Sequence, residues 1–108
     1  MLAIPIQAAP NQSLTVTLAN QPCLINIYQL STGLYIDLYV NSSPIITGVI
    51  CQNANRIVRD LYLGFIGDLA FFDTFATAQI PPTDPVYTGL GAQYVLMYLE
   101  TSDLDGEG

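Results

Sequence analysis

Few residues in this sequence are equipped for chemistry. There are nine carboxylates, two arginines, two cysteines and seven tyrosines, with no histidine and no lysine, so the commonest general bases and the imidazole metal ligands are missing. Carboxylate chemistry is what remains. Asp60, Asp68 and Asp73 would suit the paired carboxylates of glycoside hydrolysis, and Asp60, Asp68 and Asp84 an oxygen cage for a hard cation. No spacing specifies either site, and an acidic chain brings aspartates near one another by chance. The residues therefore predict no enzyme, no cofactor and no metal. Gly89-Leu90-Gly91 is not a phosphate loop, because Tyr94 stands where a third glycine belongs and no strand leads in; it reads as a turn.

The remaining polar candidates are structural. Arg56 and Arg59 are the only cations, and every charge near them is acidic. Arg59 is expected to be held by Asp68 or Asp60, since a planar guanidinium grips a carboxylate with two hydrogen bonds. Tyr28, Tyr35, Tyr39, Tyr94 and Tyr98 fall on strand-like segments, where an outward stripe stacks sugars or packs at a subunit contact. With nothing basic beside the stripe, the contact reading is preferred, with Tyr35, Tyr39, Tyr94 and Tyr98 as the candidates.

Composition points the same way. The chain is 51% hydrophobic and only 10% charged, against roughly 25% charged residues in an average soluble domain. Its surface must be unusually apolar, and large apolar patches usually meet another protein. A net charge of −7 leaves no basic patch for phosphates, so neither nucleic acid nor an anionic membrane is an expected partner. No apolar run approaches the roughly 20 residues of a membrane-spanning helix, and MLAIPIQAAP lacks the basic region of a secretory signal. Synthesis in a cytoplasm and reduced, buried Cys23 and Cys51 are the matching expectations.

The elements that must position these residues are strands. Residues 3–8 contain Pro5 and suit an edge strand or arm, after which Asn11 and Gln12 turn the chain. Leu14, Val16 and Leu18 alternate with Ser13, Thr15 and Thr17. Asn20-Gln21-Pro22 forms a loop, then Ile25 and Ile27 alternate with Asn26 and Tyr28. Ser31-Thr32-Gly33 turns into the clearest strand, with Leu34, Ile36, Leu38 and Val40 on one face and Tyr35, Asp37, Tyr39 and Asn41 on the other. Ser42-Ser43-Pro44 leads to Ile45 through Cys51, an apolar run expected to be more completely buried.

RIVRDLYLGFIGDLAFFD, residues 56–73, holds both arginines and the longest apolar run, and its Gly64 and Gly67 predict a buried strand with a kinked start. The segment from Thr74 to Ala92 carries Pro81, Pro82 and Pro85, which exclude regular structure. A loop this long in a small chain usually acts in function or packs on a partner. QYVLMYLE, residues 93–100, is a last strand apolar on both faces, covered either within the fold or by a neighbouring subunit. The whole reads as one all-β domain over residues 1–100, a small antiparallel β-barrel or sandwich of about seven strands. An acidic, disordered tail follows at 101–108.

Three blocks in this order, IPIQAAPNQSLTVTL, RIVRDLYLGFIGDLAFFD and DPVYTGLGAQYVLMYLE, resemble the small baseplate plug proteins of contractile-tailed phages, of the cyanophage type, across about residues 3–100. The resemblance implies a structural virion protein at the distal end of the tail tube. It would be assembled in the host cytoplasm and pack against hub and tube proteins as a homo-oligomeric ring, threefold or sixfold, about the tail axis. It brings no catalytic residues. The alternative from the residues alone is a monomeric β-barrel binding module for a sugar or other small ligand, which requires a deep tyrosine-lined pocket.

Overall fold

The computed structural model describes residues 2–58 and 65–100. Among these the chain is all-β, with two antiparallel sheets and a single turn of 3-10 helix at Tyr87–Gly89. Strands β2 (Asn11–Leu18), β3 (Gln21–Leu30), β4 (Gly33–Val40) and β5 (Ser43–Ile50) form a four-stranded meander in the order β2-β3-β4-β5. Strands β1 (Leu2–Ile4), β7 (Tyr94–Leu99) and β6 (Asp68–Asp73) form a three-stranded sheet in the order β1-β7-β6.

Alternation decides which side chains meet. Cys23, Ile25 and Ile27 on β3 and Leu34, Ile36, Leu38 and Val40 on β4 are buried, and they join one apolar cluster with Ile4, Leu69, Phe71 and Leu96 of the other sheet. Their neighbours Asn26, Tyr28, Tyr35, Asp37 and Tyr39 occupy the opposite face. β7 lies between β1 and β6; one of its faces buries Tyr94, Leu96 and Tyr98 within the fold, and on the other Leu99 is buried while Val95 and Met97 are half-buried.

The turn at Ser31-Thr32 falls where expected, and the other two hairpin turns begin one residue earlier. Ala19-Asn20 and Asn41-Ser42 are two-residue loops with both φ values positive, +50° and +61° in the first and +51° and +68° in the second. This is the backbone of a type I′ turn, whose twist matches that of the flanking strands. Pro22 and Pro44, expected in loops, stand inside β3 and β5, Pro44 on an edge strand where its missing N–H is tolerated. Asn11 and Gln12 likewise begin β2 rather than turning the chain. The corner before them is held by the Gln12 side chain, which accepts the Gln7 N–H at 3.0 Å and donates to the Gln7 carbonyl at 2.6 Å.

β5 departs most from expectation. It is an edge strand, not a buried one: Ile45, Ile46 and Val49 are half-buried and Ile50 is 42% exposed. Its register against β4 shifts twice around Leu38, and Gly48 takes φ +64°. The slips set Ile46 opposite Leu38 and Val49 opposite Ile36, so residues three apart meet the same inward row while Ile50 falls opposite outward Tyr35, which a continuous apolar run cannot reveal.

The kinked start of β6 is present and sits at Gly67. Its φ is +95°, and a Cβ there would stand 2.5 Å from the Leu99 carbonyl oxygen, so both conformation and space demand glycine. Asp68, Leu69, Ala70 and Phe71 are buried. The outer edge of β6 is covered by irregular chain, with Ala54 N–H donating to the Phe71 carbonyl and Ile57 N–H to the Leu69 carbonyl. Arg59, Asp60, Gly64 and the acidic tail at 101–108 lie outside the described residues.

Candidate functional site

The aspartates hold backbone. Asp68 is 3% exposed, and its Oδ1 accepts the N–H groups of Ile57 at 3.1 Å, Val58 at 2.7 Å and Leu69 at 2.7 Å. It clasps the covering segment to the start of β6. Asp73 closes the other end of that strand. Five residue steps of extended chain, roughly 16 Å at 3.3 Å per step, separate the two, and odd spacing points them to opposite faces, so they do not form a carboxylate pair. Asp84 also holds backbone, accepting the Asn53 N–H at 3.1 Å, while Asn53 Oδ1 in turn accepts the Asp73 N–H at 2.8 Å. Among the described residues no three His, Cys, Asp or Glu side chains group to hold a metal ion, and no helix is long and apolar enough to cross a membrane.

Asp73 organises the long loop. Its Oδ1 accepts Phe75 N–H at 3.0 Å and Gln93 Nε2 at 3.2 Å, and its Oδ2 accepts Thr83 N–H at 3.0 Å and Thr83 Oγ1 at 3.2 Å. These bonds, the Thr83 N–H first, hold its carboxyl below the ordinary range. Thr77 Oγ1 accepts from Gln79 and Ile80, Thr74 N–H donates to the Gln93 carbonyl, and Tyr87 N–H donates to Gln29 Oε1. The loop is irregular yet tied at both ends and in the middle. On it Phe75 is 59% exposed, Ile80 57% and Val86 44%. An apolar surface on a backbone already fixed suits a protein contact, since little ordering cost is left for binding. The prolines signalled the loop, but nothing in their pattern singled out Phe75 and Ile80.

The tyrosines divide. Tyr94 and Tyr98 are 3% and 2% exposed and turn inward. Tyr94 Oη hydrogen-bonds Thr83 Oγ1, Tyr98 Oη donates to the Ile66 carbonyl, and the Tyr98 ring meets Phe65 edge-on. This burial does not fit the subunit contacts expected of them, and their polar tips are satisfied inside the fold. Tyr35 and Tyr39 face outward and half-buried on the four-stranded sheet. Tyr35 stacks on Tyr28 across the strand pair with centroids 6.0 Å apart. Asp37 Oδ1 accepts Tyr28 Oη at 3.1 Å and Gly48 N–H at 2.7 Å. Burial first, and then that bond, push the Tyr28 phenol up.

A broad, open hollow of about 820 Å³ lies on the same sheet, lined by Thr15, Thr17, Pro22, Leu24, Tyr39 and Asn41 among others. One tyrosine reaches it, and the stacked pair does not. Cys23 and Cys51 are buried free thiols.

The sequence pattern of one protein family, described as cyanophage baseplate Pam3 plug gp18, matches this chain over residues 1–102 of 108. No curated protein matches it.

Proposed function

Because the chain belongs to the cyanophage baseplate plug family, which sets it in the virion tail baseplate, we propose that it closes the distal end of a contractile tail tube, packing against hub and tube proteins. In this reading it is a structural subunit and not an enzyme, a single β-sandwich domain repeated as a ring about the tail axis with threefold or sixfold symmetry. The observation that carries the packing is the clasped loop with Phe75, Ile80 and Val86 exposed. Burying the exposed half of each of these side chains against a neighbour stabilises by about 0.7–1.5 kcal/mol. The net charge of −7 supports contacts with protein rather than with the genome passing down the tube.

The sugar-binding alternative needs a deep aromatic pocket, and the open hollow with Tyr39 as its one aromatic does not favour it. The test is incorporation. Phe75→Ser and Ile80→Ser together should leave the thermal unfolding midpoint within a few degrees of the unaltered protein and strongly reduce the chain recovered in purified baseplates. Normal incorporation of that variant would remove the loop from the contact.

A further inference from the structure

β2 is an outer strand of its sheet, and its pairing fixes which backbone groups are used. Leu18 opposite Gln21 flanks a two-residue loop, which makes it a hydrogen-bonded pair. Antiparallel alternation then gives the bonds to β3 to Leu18, Val16, Leu14 and Gln12. Asn11, Ser13, Thr15 and Thr17 therefore direct N–H and C=O away from the sheet, one residue's pair every ~7 Å.

Such rows template pairing with other chains, and proteins commonly blunt them. The other edges of the described sheets are blunted. β1 is three residues long and is followed by Pro5. β5 carries Pro44, Gly48 and two register shifts. The far side of β6 is covered by residues 53–57. β2 has eight residues with no charge, no proline and no register shift against β3. Its inward row is also unfinished: Leu14 and Val16 are half-buried, while Ile25, Ile27, Ile36 and Leu38 on the next two strands are at most 1% exposed.

We infer that the edge of β2, which no described strand pairs, takes up, by strand addition, an extended segment of another baseplate protein, apolar at the alternate positions that meet Leu14 and Val16 and belonging to a less acidic chain. The partner's identity as a baseplate component rests on the functional reading above; the vacant edge does not. A second copy is disfavoured on two grounds. Each copy carries −7, and the one unblunted strand a second copy offers is β2 itself, which gives a twofold contact where a ring about an axis needs a head-to-tail one.

Amide hydrogen exchange at Ser13, Thr15 and Thr17 reads the edge directly, in the free protein and in purified baseplates. The expected result is fast exchange in the free chain at every concentration and slowing of about 100-fold or more in the baseplate. Thr15→Pro removes one outward N–H and no bond to β3, so it should fold as the unaltered chain does and lose incorporation. Fast exchange at all three amides in baseplates that contain the chain overturns this inference and leaves the baseplate role standing. Protection in the free chain that grows with concentration overturns it in favour of a second copy. Absence of the chain from baseplates overturns both readings.

Discussion

Asp68 is the residue whose replacement discriminates most sharply between two accounts of this fold. Three backbone N–H groups converge on its Oδ1, from Ile57, Val58 and Leu69, at a position 3% exposed. Asp68→Ala removes the acceptor from all three. Each buried donor left unsatisfied costs about 1–3 kcal/mol; because the covering segment relaxes in part, the sum should be about 3–5 kcal/mol. Asp68→Asn keeps a carbonyl oxygen at that place and loses only the charge-assisted share of each bond, so it should cost about 1–2 kcal/mol. If the carboxylate chiefly serves as the ion-pair partner of Arg59, asparagine strands a cation and should cost about as much as alanine, roughly 3–5 kcal/mol. Urea midpoints at a common slope measure both variants. Equal losses for Asn and Ala would refute the backbone clasp, and a double-mutant cycle with Arg59→Met would then assign the energy to the pair.

Other consequences are quicker to check. The Asp73 carboxyl is held below its ordinary 3.8 by the loop bonds it accepts, so the stability it contributes is present above pH 3.8 and is lost as pH falls through its lowered value. Asp73→Asn should flatten the stability curve across that acid limb, measured by denaturant titration from pH 5 to pH 2. Gly67→Ala should cost about 2 kcal/mol or more, because φ +95° and the Leu99 carbonyl both exclude a Cβ; a loss under about 0.5 kcal/mol would show that the kink relaxes freely. Burial pushes the Cys51 thiol up to about 12. It should therefore react with a disulfide reagent at pH 8 only at the rate of unfolding, and immediate modification in the native protein would contradict its burial.

The parts of the fold that sequence exposes are those where one face is polar. β3 and β4 alternate cleanly, so Ile25 to Ile27 and Leu34 to Val40 declare both strand and core face. Two of the three hairpin turns are displaced by one because Ala19-Asn20 and Asn41-Ser42 adopt positive φ without glycine, while the nearby prolines point to the wrong residues. Tyr94 and Tyr98 share their face with Leu96, and Val95, Met97 and Leu99 share the other. With both rows apolar, nothing in the order of residues says which turns inward. The apolar run of β5 hid its slips for the same reason. The Asp68 clasp was illegible because two of its donors are backbone N–H groups ten and eleven residues back, and every residue type carries those. A carboxylate near arginines suggests an ion pair, and Arg59 lies outside the described residues.

The central claim is that this chain sits in the baseplate as a plug and meets its neighbours through the loop that Asp73 clasps. A cryo-EM map of the intact tail tip tests it most directly. The account predicts density for this β-fold across the distal end of the tube, with Phe75 and Ile80 covered by a hub or tube protein. A tube end free of this chain would contradict the claim, and so would a chain found there with Phe75 and Ile80 facing solvent.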